Sequence, residues 1–179
     1  MLDLMGPVSE HAAVGARAVA ADELRHAMSH FATGVAIVTA RGENGEPAGT
    51  TVNAITSLSL EPPLILVCFD LASATLRAVR SHGAFVINVL GTAHRHLAHG
   101  FAQRSGAKPW STTSHRPGLT GTPRLDGVLM ALECRVEHHL RGGDHEIVVG
   151  RVLDVETAPH RSQPLLCSGL PGSSPTRPG

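Results

Sequence analysis

Residues 49–60, GTTVNAITSLSL, alternate along their whole length. Val52, Ala54, Thr56, Leu58 and Leu60 fall on one side of a period of two, and Thr51, Asn53, Ile55, Ser57 and Ser59 on the other. That period is the signature of an extended strand with one mostly apolar face and one hydroxyl-rich face. A chain that commits twelve consecutive residues to such a pattern must build a sheet around them. Further runs of strand length are at hand: VAIVTA (35–40), LILVCF (64–69), FVINVL (85–90), and the longer stretches 128–140 and 145–156. Turn residues separate them. Asn44-Gly45 marks a hairpin within 41–47, Glu61-Pro62-Pro63 breaks the alternating stretch, and Arg141-Gly142-Gly143-Asp144 joins the last two long runs. Taking Gly142-Gly143 as a two-residue turn sets Leu140 opposite His145, with His138 on the face of His145 and His139 on the other, away from the chemistry.

Helical spacing is confined to short segments. Leu24, Ala27, Met28 and Phe31 share a face of a helix starting near Ala21, which Asp22 can cap. Ser73 can cap a second helix running to about Ser81 and closed by Gly83. Residues 92–104 read as a third, and 105–123, rich in Gly, Pro, Ser and Thr, as a long loop. The total is six or seven strands and three helices without βαβ regularity, so an antiparallel barrel with peripheral helices is expected. The domain spans 21–168, between a loose tail at 1–20 and a disordered one at 169–179.

Charge and motifs exclude several functions. The 179 residues carry 15 Lys+Arg against 15 Asp+Glu, which leaves no basic footprint for nucleic acid. No apolar run reaches the roughly 18 residues of a membrane span. Neither G-x-G-x-x-G, a P-loop, nor G-x-S-x-G occurs. Twelve histidines include a cluster at His94, His96 and His99, with no Cys or carboxylate at ligand spacing, and one at His138, His139 and His145 that could bind metal, shift each other's pKa or simply be wet; no metal is expected at either. Cys68, Cys134 and Cys167 form no C-x-x-C pair and read as reduced thiols of a cytoplasmic protein. The first residues lack the charged start and apolar block of a signal peptide.

What remains is the hydroxyl-rich face around Asn53. Such a face can serve solubility alone, or it can wall a ligand rich in oxygen and nitrogen. Ser73 and Thr75 stand at a helix start, where free N–H groups and the helix dipole favour an anion. A ligand carrying a phosphate would use both features.

Several segments in one order give the chain a family resemblance. They are LRHAMSHFATGVAIVTA (24–40), GTTVNAITSLSLEPPLILVCFD (49–70), SATL (73–76), FVINVL (85–90), Phe101-Ala102, LDGVLMALEC (125–134) and GDHEIVVGRV (143–152). Together they resemble the flavin reductase-like proteins of the FMN-binding split barrel. The resemblance implies a mainly β protein with peripheral helices, built on a six-stranded antiparallel Greek-key split β-barrel. It implies a homodimer that moves hydride from NADH or NADPH to FMN or FAD and supplies a partner flavin-dependent monooxygenase. It places the isoalloxazine and ribityl chain along Thr50, Thr51, Val52 and Asn53, with Ser57 and Ser59 nearby, and the phosphate at Ser73 and Thr75. Lys108 matches a basic position, and Asp144 and His145 belong to the G-D-H motif, with His145 beside flavin and nicotinamide. Residues 164–174, PLLCSGLPGSS, depart from the family's basic and aromatic ending, and Pro109-Trp110 stand where a Phe is usual. Two other readings therefore stand beside the reductase: a barrel repurposed as a non-redox tailoring enzyme such as a cyclase, and a flavin-binding module without turnover.

Overall fold

The computed structural model describes residues 17–103, 106–158 and 163–167. They fall into two units, one up to Phe31 and one from Ala32 onward. The tail expected to be disordered, 169–179, lies outside the described residues, as does 1–16.

In the first unit, helix α1 (Ala21–Met28) begins one residue earlier than its expected cap. Ala20 takes the extended N-cap conformation, and its N–H donates to the Glu23 carboxylate at 3.1 Å. Asp22 is already inside the first turn, where it pairs with Arg25 three residues on. Leu24, Met28 and Phe31 are exposed.

The second unit is built on one sheet. Its strands run in chain order as β1 (Thr33–Gly34), β2 (Ala36–Arg41), β3 (Pro47–Val52), β4 (Ile55–Leu60), β5 (Pro63–Asp70), β6 (Ala84–Val89), β7 (His115–Pro117), β8 (Pro123–Leu125), β9 (Met130–Gly142), β10 (His145–Thr157) and β11 (Leu166–Cys167). Seven of them pair as β3-β2-β6-β9-β10-β5-β4, every pairing antiparallel. The alternating stretch 49–60 is thus two strands, and they form the two edges of the sheet. Only Asn53 and Ala54 separate them. The edges do not hydrogen-bond to one another, so the sheet is open rather than a closed barrel.

The break at Asn53-Ala54 also changes the phase of the pattern. Val52 and Ile55, on opposite sides of the period of two, both pack against the same core. That core lies on one face of the sheet and joins Val38, Val67, Phe69, Phe85, Ile87 and Val148 to Leu76 and Val79 of helix α2 (Ala74–His82). A second core on the other face joins Val35, Ile37, Val86 and Leu90 to Leu97 and Phe101 of helix α3 (Arg95–Ala102). Each burial of a residue this size stabilises by about 1.5–3 kcal/mol. Helices on both faces of the sheet are why its central strands β2 and β6 read as continuous apolar runs. The third helix is shorter than 92–104, because residues 92–94 form a 3-10 turn before it. The segment 105–123 holds a 3-10 turn at Trp110–Thr112 and the short strand β7, paired with β8.

The β9–β10 turn differs by one pair from the expected register. Gly142 pairs with His145, so Gly143 and Asp144 make the turn. Gly143 holds φ +62°, a left-handed conformation that glycine adopts without steric cost. His138 still shares the face of His145, through Val149, and His139 lies on the other, opposite Val148.

Among the described residues, no helix is long and apolar enough to cross a membrane.

The loop between β7 and β8 is held by one carboxylate. Glu133, fully buried in β9, accepts from the backbone N–H of Leu119 at 2.8 Å, from the N–H and hydroxyl of Thr120 at 2.5 and 2.7 Å, and from Arg124 at 3.2 Å. Arg124 also reaches Asp154 and Glu156. Removing one partner from a buried set of this kind costs about 3–5 kcal/mol. Glu133→Ala should therefore lower the melting temperature by roughly 6–20 °C, at about 2–4 °C per kcal/mol for a domain this size. A shift under about 2 °C would show that the loop holds itself. Arg124 holds the Asp154 carboxyl below its usual range, and Arg116 followed by Arg124 does so for Glu156. A carboxylate depressed on folding stabilises above its unfolded pKa of about 4 and loses that contribution as pH falls through the lower folded value. Melting temperature should fall on acidification below about pH 4, and less steeply in Arg124→Met.

Candidate functional site

Where the two sheet edges meet, a chamber of about 1010 Å³ opens. Its walls come from the β2–β3 turn, β3 and the joint, from the end of β5 and the start of α2, from the tip of the β9–β10 hairpin and from the segment after α3. The volume stands at the upper end of small-molecule sites, about 300–1,000 Å³, and suits two large flat ligands better than one small one.

The joint supplies Thr50, Thr51, Val52 and Asn53 to the wall. Asn53 is exposed there, while Val52 turns toward the core. The Thr51 hydroxyl donates to the Ala98 carbonyl at 2.7 Å and so docks the edge strand on α3. Gly49 in the same wall packs beneath Phe101 and Trp110, whose atoms would lie 2.9 and 3.0 Å from any Cβ. No larger residue fits there without displacing an aromatic ring. Ser57 and Ser59 lie farther along β4 and are not among the lining residues. Past the joint no residue of β4 lines the chamber, whereas β3 does along its whole length.

The start of α2 forms a second wall. Ser73 is the N-cap, its Oγ accepting from the Leu76 N–H at 3.4 Å, and Thr75 is buried. Both line the chamber, and so does Arg77. A cation this near the positive end of a helix is disfavoured by the helix dipole. Together with the hydroxyls and free N–H groups it forms a place for a dianion such as a phosphate.

His145 begins β10 and lines the chamber with its ring half exposed. Its Nδ1 lies 2.7 Å from Asp144 Oδ1, leaving Nε2 for another partner. Asp144 itself stands outside the lining, almost fully exposed at the turn, where the hydrogen bond from His145 holds its carboxyl below the usual range. Lys108 lines the chamber too, but its Nζ donates to the carbonyl of Phe101 at 2.9 Å and to that of Gln103, closing the end of α3. Burial lowers its pKa. His139 is on the face opposite His145, as expected, yet it is not idle: its Nδ1 lies 2.7 Å from the buried Glu146 carboxylate.

Cys68, Asp70 and Arg77 are among the lining residues that the sequence pattern did not mark. Cys68 and Asp70 reach the chamber from β5, and burial pushes the Cys68 thiol pKa up, so it is a poor nucleophile. Arg77 reads in sequence as an ordinary helix surface residue; its position four residues past the Ser73 cap was the available signal. Among the described residues, no group of three or more His, Cys, Asp or Glu could hold a metal ion.

Residues 28–169 match the family model described as flavin reductase like domain. The chain is 41% identical over 134 residues to the reductase component of a 4-nitrophenol 4-monooxygenase/4-nitrocatechol 2-monooxygenase from Rhodococcus opacus, covering 75% of this chain and 71% of that protein. It is 39% identical over 139 residues to a probable flavin reductase of Rhizobium meliloti, but spans only 43% of that longer protein's length. The solved structure of the NADH:FAD oxidoreductase SgcE6 from Streptomyces globisporus superposes with a TM-score of 0.77 at 32% identity, covering 86% of this chain and 94% of that one.

Trp110 is the single tryptophan, and it lines the chamber, packed edge-on against Phe101 at 4.8 Å and His115 at 5.2 Å. Titration with FMN should quench its emission in a saturable way. Emission that FMN leaves unchanged after correction for absorbed light would place flavin away from this wall.

Proposed function

Because the chain belongs to the flavin reductase-like domain family, we propose that it is an NAD(P)H-dependent flavin reductase that hands reduced FMN or FAD to a flavin-dependent monooxygenase. One observation carries the reading. A single chamber gathers the polar joint Thr50–Asn53, the anion-binding start of α2 at Ser73, Thr75 and Arg77, and His145 from the hairpin. These groups fit a flavin: a cation and helix N–H groups for its phosphate, amide and hydroxyl donors for its ring edge, and space left for a nicotinamide.

Flavin and nicotinamide bound together would supply the hydride-transfer chemistry themselves. The chain's part is to bind and orient. Arg77, Ser73 and Thr75 fix the phosphate end. Asn53 and the backbone N–H groups of the joint donate toward the ring edge on which negative charge grows, and they are held by the sheet before the reaction begins. His145, with Asp144 on Nδ1, presents Nε2 to the nicotinamide side and holds the second ring in place. No acid–base pair is required of the protein. Lys108 stabilises the chamber by closing α3, and Ser57 and Ser59 have no part in it.

The same reading includes a symmetric homodimer on a split barrel. Leu58 and Leu60 on the edge strand β4, with Leu153 and Val155 on β10, are exposed, and a second copy would cover them. The free thiols Cys68, Cys134 and Cys167 suit a reducing, cytoplasmic setting.

Mixing the protein with FMN or FAD and NADH or NADPH should oxidise the nicotinamide. Asn53→Ala should weaken flavin binding by about 1–3 kcal/mol while the fold stays intact. His145→Ala should raise the KM for nicotinamide and lower turnover, with a combined loss on the order of 100-fold, and leave flavin affinity nearly unchanged. Flavin binding without oxidation would turn the assignment to a module without turnover, and neither binding nor oxidation to a non-redox enzyme. Light scattering should give twice the 18.7 kDa chain mass; a clean monomer at micromolar concentration would remove the dimer.

A further inference from the structure

We propose that Glu146 is a positioning residue that ties α2 to the β9–β10 hairpin and so fixes the phosphate end of the chamber relative to His145. The proposal rests on the reductase reading above. Glu146 follows His145 in β10 but points to the other face, where its side chain is only 7% exposed. Arg80, in the last turn of α2, reaches it with two prongs, Nε donating to Oε1 at 3.0 Å and Nη2 to Oε2. His139 of β9 meets the same carboxylate. Three elements therefore converge on one buried group, and the Arg80 guanidinium holds its carboxyl below the usual range against the effect of burial.

Both elements so tied also form the chamber. α2 gives Ser73, Thr75 and Arg77 to the wall at its start, and Arg80 to Glu146 at its end. β10 gives His145 to the wall and the very next residue to the tie. Apolar packing by Leu76, Ala78 and Val79 holds α2 on the sheet but is non-directional, so it resists separation better than sliding. A two-pronged Arg–carboxylate contact is directional and fixes the remaining freedom. Transfer between two stacked rings is sensitive to a slide of this kind, since about 1 Å of misplacement can cost on the order of 100-fold.

The test uses the full chain with Glu146→Gln, Arg80→Met and Arg80→Lys, and the double variant Arg80→Met with Glu146→Leu. In the double variant no buried charge is left unpaired, so it keeps the fold where a single change does not. Kinetics with FMN and NADH, FMN affinity from Trp110 emission, and amide hydrogen exchange are measured together. Glu146→Gln, Arg80→Met and the double variant should lose about tenfold or more in kcat/KM for NADH while the Kd for FMN moves less than about threefold. Arg80→Lys keeps the charge without the fork and should fall between them and the parent. Exchange should quicken at both 73–77 and 142–147. Folded variants with parental kcat/KM would overturn the proposal. If the parent oxidises no nicotinamide with any flavin, it is the reductase reading that fails; exchange then decides the tie, and unchanged exchange at both segments overturns it.

Discussion

The chain crosses from one edge of its sheet to the other in two residues. Asn53 and Ala54 are all that lie between β3 and β4, yet these strands stand at opposite ends of a seven-strand order. A flat sheet would hold those edges several strand spacings apart, at about 4.8 Å each. The sheet must therefore curl until its edges meet at the joint. Curling makes an inner face, which α2 fills with Leu76 and Val79, and an outer face, which α3 covers. It also leaves the edges unpaired beside the joint, and the chamber opens there with Asn53 on its wall. Fold and site follow from the same short link.

Around that link the polar groups that matter are directional and buried. Asn88 donates to the Ile37 carbonyl at 2.9 Å and accepts from the Leu125 N–H at 2.9 Å, which joins the sheet to the β7–β8 hairpin. Glu133 holds the loop of that hairpin, and Glu146 ties α2 to the hairpin that bears His145. Apolar packing supplies most of the stability, but it tolerates sliding. These few carboxylates and amides set register, which is what a site for two stacked rings requires.

Much of this could be read from the residues. Strand runs such as VAIVTA and FVINVL are β-branched, short and flanked by turn residues, so they stand out locally. Ser73 and Gly83 mark α2 correctly for the same reason. The joint was hidden because Asn53 and Ala54 do not interrupt the alternation; only the packing of both Val52 and Ile55 on one core reveals the change of phase. The resemblance set Ser57 and Ser59 near the flavin, and they lie outside the lining of the chamber. Thr50, Thr51, Asn53, Ser73, Thr75, Lys108 and His145 do meet in one chamber, though Lys108 is engaged with α3 carbonyls. The tie between Arg80 and Glu146 was not legible, because its partners stand 66 residues apart. No local pattern encodes a pair at that distance.

The central claim is that the chamber at the joint holds a flavin with its phosphate at the start of α2. A crystal structure of the protein with FMN tests it most directly. The account predicts the phosphate within hydrogen-bond reach of Ser73, Thr75 and Arg77, and the ring against Asn53. Flavin seated with its phosphate elsewhere, or bound outside the chamber, would contradict it.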